Sequence, residues 1–270
     1  MQGLDLVGRW PVDAAAAAVV TADGVVVGSV GDQGREFPLA SVTKLLTAYA
    51  VLVAVEEGAV EWDQQAGPAT VRHLIAHTAG LAFDTRTQQA EPGTRRIYSN
   101  AGFEVLAETI TEATSIPFAT YLTEAVFDPL GMVTSSLPGS AGAGGVSTCA
   151  DLTRFAAELQ RPTLVSPETL AAATTVAFPG LNGVLPGYGM QKPNDWGLGF
   201  EIRDHKSPHW TGKTSSPETY GHFGQSGTFL WVDPTAKAAC VTLTTRPFGD
   251  WAIAAWPPFT DAILHDLATR

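Results

Sequence analysis

Short runs rich in β-formers stand at both ends of the chain, and helical periodicities fill its middle. Ala15 to Thr21 and Val25 to Val30 are joined through Ala22, Asp23 and Gly24, a connection that predicts a hairpin. From Val42 the spacing changes. Val42, Leu45, Leu46, Tyr49, Leu52 and Val53 recur three and four residues apart, and Gly58 supplies a stop. This predicts an amphipathic helix with Ser41 at its mouth. Helical spacings continue over Val71 to His77, Ala101 to Thr114, Phe118 to Val126, Asp151 to Gln160 and Pro167 to Val176, separated by Gly/Pro loops. Strand patterns return at Trp196 to Ile202, Thr228 to Val232 and Ala238 to Thr245, before a closing helix near Thr260 to Thr269. The Gly/Pro-rich stretch from Phe178 to Pro193 carries the chain back to the sheet, and no internal repeat or low-complexity tail interrupts the pattern.

Sheet-forming ends around a helical middle predict an α/β (α+β) fold: an antiparallel sheet flanked by helices, with an inserted all-helical lobe and the active site between them. The expected division gives residues 1–60 plus 195–270 to the sheet domain and 61–194 to the insertion. A chain of 270 residues with 45% hydrophobic content buries a core of that size without staples. Its net charge of -11, with no offsetting cluster of Lys and Arg, repels phosphate backbones and anionic lipid, so nucleic acid is excluded as a partner. No apolar stretch is long enough to span a bilayer. Cys149 beside a helix start and Cys240 inside a strand pattern read as buried free thiols. The apolar run from Ala14 to Val20 has only Arg9 before it and leads straight into a strand, which makes a poor signal peptide. The expected location is therefore cytoplasmic, unless a leader has been trimmed.

The candidate chemistry starts at Ser41-Val42-Thr43-Lys44. A hydroxyl and an amine three residues apart at a helix start lie on one face, within one turn of each other. A serine hydroxyl is a weak nucleophile until a base takes its proton, and a lysine serves as that base only if burial or nearby positive charge keeps it partly neutral. The helix N-terminus adds positive field and turns the Ser41 N–H towards a developing oxyanion. Taken alone the motif equally describes an ordinary N-cap followed by a solvated lysine.

Two further motifs change that balance. Ser41 to Lys44, then Tyr98-Ser99-Asn100, then His222-Phe223-Gly224 resemble, in order, the three motifs of class C β-lactamases and their DD-peptidase and esterase relatives. His73 to Leu81, Glu91 to Thr94, Asp128 to Met132, Gly145 to Thr148, Trp196 to Gly199 and Trp231 to Pro234 resemble the connecting landmarks of the same family, so the likeness runs from about Ala15 to Arg246. It implies a β-lactamase/transpeptidase-like fold and a serine hydrolase that works through an acyl-enzyme without metal or organic cofactor. Carried onto this chain, it implies Ser41 as nucleophile, Lys44 as its base and Tyr98 as the phenol bridging serine and leaving group, with Lys44 close enough to lower the phenol's pKa. Asn100 would touch Lys44 and substrate. Gln225 would lend its backbone N–H as the second oxyanion donor, and Gly224 would let substrate lie along the strand edge.

The third motif departs from the Lys-Thr-Gly of β-lactamases and many peptidases, where a cation and a hydroxyl hold the substrate carboxylate. Here His222 would act as a proton or hydrogen-bond donor, while Phe223 offers no hydroxyl and packs inward. Arg246 is the one candidate for a replacement cation, with an exposed structural role as its rival. A small-molecule ester is therefore the first expected substrate, giving carboxylesterase-like activity. D-amino-acid peptides or amides and β-lactams follow, and the competing class is a non-catalytic member that uses the cleft to bind a ligand.

The remaining polar residues have plainer readings. His73 and His77 are expected to be hydrogen-bonded structural histidines rather than a metal pair. Ser166-Pro167-Glu168 reads as a helix start, and Thr148 with Asp151 as a capping box. The tryptophans are expected in the core and the cleft wall, with Trp196 and Trp210 singled out because they fall near the final strands. The loops Phe83 to Glu91 and Gly180 to Lys192 are expected to shape the substrate pockets.

Overall fold

The computed structural model describes residues 1–269. In chain order its strands are β1 (Ala15–Thr21), β2 (Val26–Val30), β3 (Glu36–Pro38), β4 (Gln65–Ala66), β5 (Ala69–Thr70), β6 (Val146–Thr148), β7 (Gly183–Leu185), β8 (Gly189–Gln191), β9 (Glu201–Ile202), β10 (Tyr220–Gly224), β11 (Thr228–Asp233) and β12 (Ala238–Thr244). The helices are α1 (Thr43–Glu56), α2 (Val71–Ile75), α3 (Asn100–Thr114), α4 (Phe118–Leu122), α5 (Cys149–Glu158), α6 (Pro167–Ala173) and α7 (Asp250–Ala268). Six strands form one antiparallel sheet in the order β2-β1-β12-β11-β10-β9, which brings the two ends of the chain together as expected.

Successive strand side chains point to opposite faces, and here both faces are covered. Ala16, Ala18 and Val20 of β1 join Leu230, Val241 and Leu243 in a core shared with α1 and α5. The intervening Ala17 and Val19 join Phe229, Trp231 and Cys240 beneath Trp256, Phe259 and Ile263 of α7. Burial on both faces explains why β11 and β12 read as nearly unbroken apolar runs.

Three expected elements differ in form. The helix after Ser41 is not amphipathic: Thr43 to Ala54 are all buried, because α1 runs between the sheet and the helices α3 and α4. Ser41 itself lies in a 3-10 turn, Ala40–Val42, that leads into α1. The closing helix starts at Asp250, well before Thr260, and runs through Pro257 and Pro258. The proline pair removes two backbone donors and hides the helix in the sequence, while burial of Ala252, Trp256 and Phe259 against the sheet stabilises it. The stretch from Trp196 to Ile202 forms a strand only at Glu201–Ile202.

Within the proposed 61–194 segment, α5 packs on β1 and β12 and so lies in the sheet's own helical layer. Both cysteines are free and buried. Ser166 caps α6, its Oγ accepting from Thr169 N at 3.1 Å. Thr148 caps α5 through Asp151 N, but the Asp151 carboxylate does not complete a reciprocal box; it accepts from Thr134 N, Ser135 Oγ and Arg154. Among the described residues no helix is long and apolar enough to cross a membrane.

Candidate active site

Ser41, Tyr98, His222 and Gln225 line one cavity of about 250 Å³, walled by Phe83, Leu185, Trp196 and Trp210. Three separate segments supply the first four groups, His222 and Gln225 sharing β10 and the turn after it. The Ser41 turn is pressed onto β10 and β11: Thr228 Oγ1 donates to Leu39 O at 2.9 Å, and a Cβ on Gly224 would lie 2.3 Å from the same carbonyl. Gly224 is thus required by the turn packed against it, which adds a reason to the substrate path expected from the sequence. Ala40, immediately before the serine, sits at φ 46°, a conformation that costs a non-glycine residue energy and persists because the surrounding contacts hold it.

Lys44 Nζ donates to Asn100 Oδ1 at 2.5 Å and to Gly142 O at 2.7 Å, and lies 3.4 Å from Ser41 Oγ. The side chain is fully buried, and burial lowers its pKa from 10.5 to about 7 against the opposing pull of Glu104 and Asp84. A neutral amine has two N–H donors and one lone pair. Asn100 and Gly142 engage the two donors, leaving the lone pair for the Ser41 hydroxyl.

Tyr98 OH donates to Ser41 Oγ at 2.7 Å. Burial raises the phenol above its ordinary value; the Ser41 bond offsets this in part and Asp84 adds to it. Lys44 does not lower it as the sequence reading expected, because Nζ stands over the ring, 4.7 Å from its centroid, rather than at the hydroxyl. Tyr98 rests as a protonated donor.

The third motif also behaves differently from expectation. His222 Nδ1 lies 2.6 Å from Phe223 O and must donate to it, which leaves Nε2, 3.3 Å from Tyr98 OH, as an acceptor. Burial, assisted by Lys44, pushes His222 down to about 3, so it is a neutral acceptor near neutral pH rather than a proton donor. Phe223 packs inward against Trp210, Phe248 and Trp256. Arg246 turns away, donating to Pro11 O at 2.8 Å and lying over Trp251, and so does not replace the missing cation. Asn100 reaches Lys44 as expected, but its Nδ2 donates to Asp84 Oδ1 at 2.8 Å instead of facing the cavity.

The two histidines of the α2 segment diverge. His73 Nδ1 pairs with Thr70 Oγ1, while His77, at φ 58°, accepts from Ser99 N through Nδ1 and packs at a tilt with its ring 4.6 Å from the Tyr98 ring. Trp196 and Trp210 both line the cavity, as their positions suggested, and the two expected loops contribute Phe83, Leu185 and Pro186. Sequence reasoning missed Gly142, whose carbonyl carries no side-chain signal, and Asp84 and Glu104, which belong to none of the motifs singled out. It also missed Glu201. This cavity-lining carboxylate is paired with Lys206 and accepts from His209 Nε2 and Trp210 Nε1, both at 2.9 Å. Burial opposes its ionisation, but His209 and Lys206 together hold its carboxyl well below the usual range.

A family model described as Beta-lactamase matches residues 12–260. The crystal structure of a β-lactamase from Mycobacterium bovis is 59% identical to this chain, with a TM-score of 0.97, covering 98% of this chain and 99% of that one. EstCE1, described as a hydrolase with promiscuous acyltransferase activity, superposes with a TM-score of 0.82 at 16% identity over 97% of each chain, a likeness of fold alone. Penicillin-binding protein 4* of Bacillus subtilis is 25% identical over 131 residues, a match spanning 36% of this chain and 29% of that protein.

Proposed function

Since this chain belongs to the β-lactamase family, we propose that it is a serine hydrolase that cleaves esters through an acyl-enzyme on Ser41. One observation carries this reading: the Ser41 oxygen lies 3.4 Å from the buried Lys44 amine and 2.7 Å from the Tyr98 hydroxyl, in an accessible cavity.

With Lys44 neutral, Ser41 passes its proton to Nζ and attacks the carbonyl carbon. The N–H groups of Ser41 and Gln225 are the donors assigned to the developing oxyanion. Tyr98 gives its proton to the departing alkoxide and stays a phenolate until water restores the proton. In deacylation water gives a proton to Tyr98 while its oxygen attacks the acyl carbon, and Lys44 returns its proton to Ser41. The cycle consumes ester and water and restores every group. Whenever Tyr98 carries its proton, His222 Nε2 stands 3.3 Å away as an alternative acceptor for it.

The cavity supports a neutral substrate, because none of its lining residues is Lys or Arg and the third-motif cation is replaced by an uncharged His222. The favoured activity is therefore carboxylesterase-like. β-Lactam hydrolysis is the second reading, favoured by the 59% identity to the mycobacterial protein described as a β-lactamase. Steady-state rates on matched p-nitrophenyl esters, D-aminoacyl anilides and a chromogenic cephalosporin decide between them. Esters should give the highest kcat/KM, and faster turnover of the cephalosporin would transfer the assignment to the second reading.

A further inference from the structure

Beside the catalytic cavity lies a second, more open groove of about 330 Å³, lined by Phe83, Tyr98, Val184, Pro186 and Met190, with Arg95 also on its wall. Phe83, Tyr98 and Pro186 belong to both, so the two spaces meet at the Tyr98 ring, whereas Ser41 opens only into the inner one. The groove is mixed in character: Gln89, Arg95 and Arg96 also line it, while Phe83, Val184 and Met190 form an exposed apolar stripe along it. Phe83 is 49% exposed, Val184 52% and Met190 51%, and these are three of the six large hydrophobic side chains left exposed among the described residues.

These side chains are held in place. Val184 and Met190 face each other across the β7–β8 hairpin. The hairpin is fastened to the segment that carries Tyr98 through Arg96 N, which donates to Asn182 O at 3.1 Å, and through the bridge between Arg96 and Gly183. A Cβ on Gly183 would come within 2.4 Å of Arg96 O, so the glycine permits this close seating.

Resting on the acyl-transfer reading above, the geometry points to the groove as the leaving-group subsite, built for an extended apolar alcohol, with the inner cavity reserved for the acyl group. Tyr98 fixes the direction. The group that protonates the leaving oxygen must touch it, and Tyr98 is the catalytic side chain that borders both spaces. An acyl chain attached to Ser41 stays in the space that Ser41 lines, and the departing alcohol leaves past Tyr98 over Phe83, Val184 and Met190.

Two ester series test this: acetates of straight-chain alcohols from ethyl to octyl, and ethyl esters of acids of matching lengths. Each is run on the wild type, Met190→Asp and Val184→Asp, with melting curves to confirm that both variants are folded. The expected result is that kcat/KM in the alcohol series rises through KM by up to about fourfold for each methylene buried. Both variants flatten that rise and leave the slope of the acid series in place. Unchanged alcohol slopes in both variants, as for a patch that serves a second copy or another partner, overturn the assignment. So does flattening of the acid series instead. Labelling of wild-type Ser41 by a small fluorophosphonate runs alongside: labelling with parallel slopes rejects the groove alone, and absence of labelling rejects the acyl-enzyme reading together with it.

Discussion

The Lys44 amine stands over the face of the Tyr98 ring, 4.7 Å from its centroid, while the hydroxyl of that ring points away to Ser41. In the proposed mechanism the two groups divide the proton work: Lys44, whose pKa is lowered by burial, takes the serine proton, and Tyr98, whose phenol is raised by burial, delivers a proton to the leaving group.

That division makes the pH profile specific. Acylation needs the neutral amine, so kcat/KM for an ester should rise with pH through a midpoint of about 7 and then level off. A profile that is flat from pH 5 to 9 would remove Lys44 as the base.

The same group leaves a mark on stability. Between about 7 and 10.5 the unfolded chain holds the Lys44 proton and the folded one does not. Stability therefore rises with pH in this window by up to about 1.4 kcal/mol per unit. Denaturant unfolding of wild type and Lys44→Met across it should diverge in favour of the wild type as pH increases, and parallel curves would contradict the lowered pKa.

Tyr98→Phe keeps the ring beneath Lys44 and removes only the hydroxyl. Esters with alkyl leaving groups should lose about a hundredfold or more in kcat/KM, which reports acylation alone, the range of general-acid catalysis. p-Nitrophenyl esters, whose leaving group departs unprotonated, should lose far less. Equal losses on both would deny Tyr98 the acid role.

Gly224→Ala places a methyl group against Leu39 O, and the displaced turn carries Ser41 with it. Misplacement by an ångström is enough to lower kcat/KM by about a hundredfold. Because the clash lies behind the turn, this should occur with the protein still folded, as circular dichroism would report.

Glu201→Gln leaves Lys206 buried without its counter-charge and should destabilise the fold by about 3–5 kcal/mol at neutral pH. Glu201 is held below the usual carboxylate range, so its contribution is complete above about 4.5 and is lost as pH falls. The gap between the two proteins in urea melts should narrow in acid.

The parts of the fold legible in the sequence were those with a strong local signal: the β1–β2 hairpin, the spacing that became α1, and the apolar runs of β11 and β12. The first half of α7 was not, since Pro257 and Pro258 break the local pattern and only burial of Ala252 and Trp256 against distant strands restores it. At the site, the motifs led to Ser41, Lys44, Tyr98 and His222, which the fold gathers around one cavity or beside it. Their protonation was not legible. It depends on the Gly142 carbonyl, on the Phe223 carbonyl that sets the His222 tautomer, and on the depth at which each group is buried, all of which are products of long-range packing.

An acyl-enzyme on Ser41 requires a serine that reacts covalently, which intact-mass spectrometry after exposure to a fluorophosphonate detects. Wild-type protein should gain one phosphonyl group, located by peptide mapping to the segment containing Ser41, with ester turnover lost in proportion, and Ser41→Ala should gain nothing. Equal labelling of Ser41→Ala, or ester turnover that survives the substitution, would contradict the account.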